Sequence, residues 1–286
     1  MTIFDMHTHA SKDKPKWSPM NYEVYEIIEK WYDALDFPKE FDSRFKQALK
    51  DIKISDAIEI ERFEETTDGG YNLLSFLYMC EKLKTKYDDK KIPHEILMDT
   101  LADIVIWCNT WSDIKDGLYL GECGWLKRHL SMKLFKLGRL QFCMGKAECD
   151  IPKHNISKGD NVLEIHIPET GPLTPEECEK SISYAKEFFA EYFPEFDYKC
   201  FTCHSWLLDR SLSAFLKQES NIIKFQNMFD EIESEESDAI LKYVFAWNIN
   251  RRTLVKENPA SSFAVKVKEH ALSDGKFYET LGVLKK

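Results

Sequence analysis

The passage from residue 162 to residue 207 constrains the fold most, because it places one capped helix between two apolar strands. Residues 162–167 (Val-Leu-Glu-Ile-His-Ile) form a short apolar run typical of a buried strand, and residues 199–207 predict a second strand. Between them, Thr-Pro-Glu-Glu at 174–177 is a T-x-x-E capping box with proline at the first helical position. A strand–helix–strand unit predicts a sheet covered by helices.

The chain before this unit shows helical periodicity, and more strands follow it. Between residues 20 and 115, apolar residues recur with a period near 3.6 and predict helices over 22–32 and 41–49, from 55 to 68, over 73–79 and from 93 onward. Further on, the patterns predict helices over 125–130, 210–216 and 261–272, and strands over 138–142, 222–229 and 276–282. We therefore expect an α+β fold, with a helical domain at 1–136 and a mixed sheet flanked by helices at 137–286.

The charge balance and the cysteine pattern limit the partners. The formal net charge is −10, with no local cluster of Lys and Arg, so we expect no nucleic-acid partner. No run of about 18 uncharged apolar residues is present, and the eight cysteines have no framework-like spacing. These features predict a cytoplasmic protein with reduced thiols and no membrane partner. The oligomeric state stays open.

The strand at 162–167 places two ionisable groups on one face. Side chains alternate along a strand, so Glu164 and His166 lie on the same side, about 6–7 Å apart along the backbone. Such a pair is costly within an apolar strand unless it is paired or solvated. One interpretation is an acid/base pair that faces a cleft. The alternative is a structural polar pair. If the second strand is adjacent and parallel, His204 also approaches this face.

Two other motifs indicate metal or haem chemistry. Residues 200–204 match the haem-attachment pattern C-x-x-C-H, but thiols three residues apart on a strand point to opposite faces. No second Cys pair completes a zinc site there. His7 and His9 resemble the His-x-His of metal-dependent amidohydrolases, a third functional alternative, although the chain that follows is helical. We expect no metal. Phosphate-binding glycine loops and a G-x-S-x-G elbow are absent from the sequence.

Four segments together resemble a known family. They are Leu-Gly-Arg-Leu-Gln-Phe at 137–142, residues 162–173, Cys-His-Ser-Trp-Leu-Leu-Asp at 203–209, and Ser-Asn-Ile at 220–222 followed by Phe-Gln at 225–226. In this order they are similar to a bacterial family of two-domain acyltransferase-like proteins. Its members join a helical N-acyltransferase N-terminal domain to a GNAT-like C-terminal domain.

The resemblance implies a fold and a reaction. In a GNAT-like fold two parallel strands separate, and an acyl-CoA thioester lies between them while an amine attacks its carbonyl carbon. Acyl-CoA is then a co-substrate, the acceptor is expected to be a small-molecule substrate, a small amine, and no permanently bound cofactor is expected. By order along the chain, the catalytic candidates are Glu164, His166, His204, Cys203 and Tyr278. The candidates for binding the donor are Ile165, Ile167, Gly171, Thr174 and Ser205.

One segment departs from the family pattern. Members carry Gln/Arg-x-x-Gly-x-Gly/Ala where the helix begins, so that backbone N–H groups meet the pyrophosphate. Here residues 169–177 contain Pro172 and Pro175, which lack an N–H, and three glutamates. The alternative function is therefore a non-catalytic protein that binds a small ligand on a degenerate GNAT fold.

Overall fold

The computed structural model describes residues 19–285, so His7 and His9 lie outside the described residues. The α-helices are α1 (Pro19–Ala34), α2 (Asp42–Asp51), α3 (Gly69–Lys90), α4 (His94–Lys115), α5 (Cys123–Leu130), α6 (Pro175–Tyr192), α7 (Asn221–Gln226), α8 (Ala239–Val244) and α9 (Ser262–Leu272). The strands are β1 (Leu134–Leu137), β2 (Leu140–Lys146), β3 (Asn161–His166), β4 (Phe201–Ser205), β5 (Phe229–Glu236) and β6 (Tyr278–Leu284). Among the helices of this part of the chain, none is both long and apolar enough to cross a membrane.

The helical first half differs from prediction around Gly69. The segment from 55 to 68 was expected to be helical, but it holds only a short 3₁₀ turn at Ile60–Arg62. A helix therefore begins at Gly69, where the predicted helix was expected to end. The Asp68 carboxylate accepts the Tyr71 N–H and caps this helix, α3. Gly69 packs so closely on Tyr119 that a Cβ atom would overlap the ring. The glycine thus serves close packing here.

The six strands form one mixed sheet in the order β1-β2-β3-β4-β6-β5. Strands β3 and β4 are parallel, and every other pair of neighbours is antiparallel. The strand predicted at 138–142 is wrong in detail, because Gly138, at φ 74°, and Arg139 form the turn of a β1–β2 hairpin. These features give the α+β fold with a helical first half and a mixed sheet that the sequence predicted.

The strand predicted at 222–229 is a helix followed by a strand. Ser220 accepts the Ile223 N–H and caps α7, so two isoleucines that suggested a strand lie in a helix. Strand β5 follows and carries the acidic run along the edge of the sheet. The acidic run covers residues 230–236, and most of its side chains are exposed. Charges on an edge strand oppose pairing with another chain.

A single hydrophobic core joins the helical half to the sheet. The Phe135 ring on β1 is fully buried and lies 6.0 Å from Tyr87 on α3, measured between ring centroids. On the other side it lies 4.8 Å from Phe188 on α6. The Lys136 N–H also donates to the Thr100 hydroxyl on α4. The division of the chain at 136/137 stays a prediction, and the two halves are packed as one body at this point.

Strands β3 and β4 separate soon after they meet. They pair only at Leu163–Phe201 and Glu164–Thr202. Beyond these residues β4 continues in register with β6, and β3 continues in register with β2. The facing edges of the two parallel strands are therefore open from residue 165 of β3 and residue 203 of β4. This opening lies in the middle of the sheet and positions the candidate site.

Candidate active site

Glu164 and His166 lie together at the opening between β3 and β4. His166 Nε2 is 3.5 Å from Glu164 Oε2, and about a quarter of each side chain is exposed. The strand alternation predicted from the sequence is confirmed, because Leu163 and Ile165 are buried on the opposite face. The Trp125 ring of α5 packs against the His166 ring with centroids 4.6 Å apart. The imidazole is thus held between a carboxylate and an indole.

Helix α5 adds a positive charge to the pair. Arg128 Nη1 lies 3.2 Å from Glu164 Oε2, and the Arg128 guanidinium lies over the Trp125 ring. Residues three apart on a helix share a face, so Trp125 and Arg128 reach the site together. Burial raises the pKa of Glu164, but the neighbouring His166 and Arg128 outweigh it, and the net pKa lies below the ordinary carboxyl value. Glu164 is therefore ionised at neutral pH.

Strand β2 supplies a thiol and a glycine to the same place. Cys143 lies directly across from Glu164 in the β2–β3 register and is buried. Burial and the Glu164 charge raise the pKa of the Cys143 thiol to about 11, so it is protonated at neutral pH and is a poor nucleophile. A Cβ atom at Gly145 would overlap the Glu164 carboxylate. Gly145 therefore leaves the space in which that carboxylate lies.

A buried carboxylate fixes the position of Trp125. Its Nε1 donates to Asp103 Oδ2 of α4 at 3.0 Å, and the same oxygen lies 2.9 Å from His129 Nε2. His129 is fully buried, and Asp103 is nearly so. Burial raises the pKa of Asp103, but His129 and Trp125 lower it by more, so its net pKa lies below the ordinary value. The ring that contacts His166 is thus held from the helical half.

His204 lies on the same face as Glu164 and His166 but has another partner. The parallel register puts Thr202 across from Glu164, and alternation returns His204 to that side. Its side chain is about half exposed, and Nε2 lies 3.7 Å from Glu235 Oε1 on β5. The conditional prediction that β3 and β4 are adjacent and parallel is confirmed. His204 therefore borders the opening, next to an acidic edge strand.

Three other predicted residues lie on the opposite face. Cys203 is buried in the main core, and burial raises the pKa of its thiol far above the ordinary value. The Ser205 hydroxyl accepts the Leu207 N–H. The β4–β6 register pairs Cys203 with Gly282 and Ser205 with Thr280, so alternation puts Tyr278 on this face too. The structure does not bring these residues together with Glu164 and His166.

The loop between β3 and α6 is shaped by one arginine. The Arg139 guanidinium donates to the carbonyl oxygens of Pro168, Gly171 and Pro172 at 3.0–3.1 Å. Gly171 has a φ of 70°, which favours glycine. Burial lowers the pKa of Arg139 from its usual value. The loop that follows Ile167 is thereby held in one conformation by residues of the β1–β2 turn.

The start of α6 is capped as predicted. The Thr174 hydroxyl accepts the Glu177 N–H at 3.3 Å, and Pro175 is the first helical residue. The Glu177 carboxylate lies 2.9 Å from Lys180 Nζ, which offsets one of the first-turn charges. Glu176 keeps a negative charge in this turn. The start of α6 therefore has a proline and two glutamates in the place where GNAT enzymes offer backbone N–H groups to the pyrophosphate.

Sequence reasoning missed Trp125 and Arg128 as site residues, together with Asp103 and Cys143. The i, i+3 spacing of Trp125 and Arg128 placed them on one helical face, but nothing local showed that this face meets β3. Cys143 could be found only from the β2–β3 register, because it lies 21 positions before its partner Glu164.

Comparisons with known proteins identify the family and the fold. A family model described as "GNAT-like C-terminal domain" matches residues 134–284, and one described as "N-acyltransferase N-terminal domain" matches residues 23–132. The comparison with curated proteins gives no match.

Several solved structures share the fold. An acyltransferase in complex with decanoyl-CoA and teicoplanin has a TM-score of 0.72 and 20% identity, over 92% of this chain and 93% of that chain. An acyltransferase mutant in complex with octanoyl-CoA has a TM-score of 0.71 and 20% identity, over the same shares of the two chains. An acyltransferase in complex with decanoyl-CoA has a TM-score of 0.67 and 23% identity, over 94% of this chain and 80% of that chain.

At these identities the likeness establishes a common fold. The family match is broader, because the C-terminal model alone covers more than half of the 286 residues. The two models also follow each other in the order that the sequence motifs predicted. The chain therefore belongs to the family with a GNAT-like C-terminal domain, here preceded by an N-acyltransferase N-terminal domain.

Proposed function

We propose that this protein is an N-acyltransferase that moves an acyl group from a coenzyme A thioester to an amine. The observation that carries the proposal is the Glu164–His166 pair at the opening between β3 and β4. Three solved relatives of the same fold are acyltransferases in complex with acyl-CoA. An imidazole backed by an ionised carboxylate is suited to remove the proton that an attacking amine must lose.

In the proposed reaction His166 is the general base. The amine nitrogen attacks the thioester carbonyl carbon, and His166 Nε2 takes the proton that this nitrogen loses. The C–S bond then breaks as the amide forms, and the departing thiolate takes up a proton. The ionised Glu164 carboxylate, whose Oε2 lies 3.5 Å from Nε2, stabilises the positive charge that the imidazole gains with this proton. Trp125 restricts the ring from the other side.

The opening would let a donor on one face of the sheet meet a base on the other. Ile165, Ile167 and Ser205 belong to the face covered by α6, whereas Glu164 and His166 belong to the opposite face. We assign the donor to the α6 side, along the unpaired edge of β3 and past Gly171 and Thr174. Its thioester would reach through the opening to His166.

The acceptor would approach the face that carries His166 and His204. Carboxylates of Glu235 and Glu279 line this face. Beyond them, Tyr243 packs on Trp247, with ring centroids 5.2 Å apart. Acidic and aromatic side chains favour a basic amine attached to a bulky group. One relative of the same fold is in complex with teicoplanin as well as decanoyl-CoA.

The test is transfer from a panel of acyl-CoA esters to amines, with the acylated amine measured by mass spectrometry. Replacing His166 by Gln should lower kcat/KM by about 100-fold or more, the usual contribution of a general base. His94, an exposed residue on α4, is the matched control, and His94→Gln should keep full activity. Equal activity in the two variants would exclude His166 as the base.

A second candidate function is binding without catalysis. It is favoured by Pro172 and Pro175, which lack N–H groups, and by Glu176 in the first turn of α6. A thermal-shift titration separates the candidates. A ligand at 100 times its dissociation constant adds about 2.7 kcal/mol, which should raise Tm by about 5 °C or more for a chain of this size. A shift with acyl-CoA esters supports the acyltransferase, and a shift with other ligands alone supports the binding protein.

A further inference from the structure

Three side chains at the opening bring metal-ligating atoms together. One ligand atom each from Cys143, Glu164 and His166 lies within 4.8 Å of the other two. The sheet fixes this arrangement, because Cys143 is directly across from Glu164 and His166 is two residues further along the same face. Ordered strands, and not mobile loops, therefore set the spacing of the three donors.

The donor set matches the preferences of zinc. Zn²⁺ binds thiolate sulfur, imidazole nitrogen and carboxylate oxygen in tetrahedral geometry, with bonds of about 2.0–2.3 Å. Those bond lengths put neighbouring ligand atoms roughly 3.3–3.7 Å apart. His166 Nε2 and Glu164 Oε2 already lie 3.5 Å apart. The three ligand atoms lie within 4.8 Å of one another, which exceeds this spacing by about 1 Å at most. Rotation of the side chains can close that difference.

His166 Nε2 also makes no hydrogen bond within the described residues 19–285. It is shielded from solvent, and its nearest charged neighbour is the Glu164 carboxylate at 3.5 Å. A shielded, unsatisfied ring nitrogen that points at a carboxylate and a thiol is open to a ligand. Gly145 leaves the space in which the Glu164 carboxylate lies beside this nitrogen.

The Arg128 guanidinium would compete with a metal ion for Glu164 and Cys143. Its Nη1 lies 3.2 Å from Glu164 Oε2 and 3.7 Å from Cys143 Sγ. The arginine side chain is 44% exposed, so it can swing into solvent and leave the three donors to a cation. A divalent ion would then replace one positive charge by two. Arg128 is therefore expected to weaken metal binding, and it gives the test an informative variant.

We propose that Cys143, Glu164 and His166 form a binding site for Zn²⁺, with water as the fourth ligand, and that the bound ion inhibits acyl transfer. On binding, the Cys143 sulfur bonds to zinc and its S–H proton passes to solvent. Zinc would occupy the Nε2 lone pair of His166 that the base needs. The inhibition rests on the proposed function, whereas zinc binding is independent of it.

The first experiment measures zinc binding without any acyl substrate. The full-length protein, kept reduced, is titrated with ZnCl₂ against a chromophoric chelator. We expect one ion per chain, and an affinity that falls by about 100-fold or more in Cys143→Ala. Cys178→Ala is the matched control, because Cys178 is also a buried thiol whose pKa is about 11. Equal binding by Cys143→Ala and the wild type would overturn the site.

A second readout identifies the thiol ligand directly. Cobalt(II) in place of zinc should give a thiolate-to-cobalt charge-transfer band in the wild type and in Cys178→Ala. The band should be missing in Cys143→Ala. Arg128→Ala should bind zinc more tightly than the wild type does. A cobalt spectrum without the thiolate band would assign binding to other residues and refute the proposal.

The inhibition has its own assay. Zinc should stop amide formation by the wild type, a chelator should restore it, and Cys143→Ala should stay active at zinc concentrations that stop the wild type. If the protein binds zinc through Cys143 but acylates no amine, only the proposed function fails. If zinc inhibits the wild type and Cys143→Ala equally, the inhibitory site is elsewhere and this inference fails.

Discussion

His166 on β3 and Trp125 on α5 are packed with ring centroids 4.6 Å apart and ring planes at 70°. This edge-to-face contact joins the candidate base to the helical half of the chain. The indole N–H of Trp125 also donates a hydrogen bond to Asp103, which fixes the position of the ring. The helical half therefore supplies part of the candidate site.

The first prediction concerns that contact. Trp125→Leu removes the ring and the Asp103 hydrogen bond, and it should lower kcat for acyl transfer by about 10- to 100-fold, since small misplacements of a base are costly. The KM for the acyl-CoA donor should change little. Trp125→Phe retains a ring and should restore part of the rate. Steady-state kinetics compares the two variants with the wild type, and a change confined to KM would argue against a positioning role.

The second prediction concerns Asp103. Asp103→Asn removes the buried carboxylate that contacts His129 and accepts the Trp125 N–H, and this loss should cost about 2 kcal/mol of unfolding free energy at pH 7. The folded pKa of Asp103 lies below its unfolded value. Its contribution is therefore complete above about pH 4 and is lost as the pH falls through the folded pKa.

Urea unfolding between pH 3 and pH 7 checks this. The difference in unfolding free energy between the wild type and Asp103→Asn should become smaller as the pH falls towards 3. Asp99→Asn is the matched control, because Asp99 is an exposed carboxylate on the same helix. A difference between the wild type and Asp103→Asn that stays constant with pH would show that the carboxylate is not ionised in the folded chain.

The third prediction concerns the space beside Glu164. Gly145→Ala should push the Glu164 carboxylate away from His166 and lower kcat/KM by up to about 100-fold. Gly124→Ala on α5 is the control, because a Cβ there meets nothing and alanine favours a helix. Thermal unfolding should show both variants folded. An active Gly145→Ala would mean that the reaction tolerates a displaced carboxylate.

The fourth prediction concerns the loop that Arg139 holds. Arg139→Gln removes charge-assisted hydrogen bonds to three carbonyl groups and should lower the unfolding free energy by about 2 kcal/mol. Amide hydrogen exchange at residues 169–173 should accelerate, and the KM for the acyl-CoA donor should rise. Arg62→Gln is the control, since the Arg62 side chain is 87% exposed. Unchanged exchange would show that the loop is ordered without Arg139.

The central strand and its polar pair were predictable because the relevant signals are local. Alternation in residues 162–167 placed Glu164 and His166 on one face, and the capping box fixed the start of α6. Trp125 and Asp103 were not predictable, since only long-range packing brings α4 and α5 to the sheet. Tyr278 was assigned to the site from its position late in the chain, and strand register places it on the other face.

The errors in secondary structure also have physical causes. The two isoleucines at 222–223 are compatible with a strand or a helix, and the Ser220 cap decides for the helix. Strand β5 was not predicted, because an edge strand rich in glutamate lacks the apolar alternation of a half-buried strand. The start of α3 at Gly69 was not predicted. Gly69 is needed there for close packing on Tyr119, and such packing leaves no pattern in the sequence.

The burial of Phe135 between α3 and α6 has a consequence for how such chains evolve. A recombination event that joined residues 134–284 to an unrelated first half would leave this ring facing water on one side. The two segments matched by separate family models therefore cannot be exchanged independently without uncovering apolar surface at this ring. A substitution in α3 that enlarges or empties the space around Tyr87 would need a compensating change at position 135 to keep the packing.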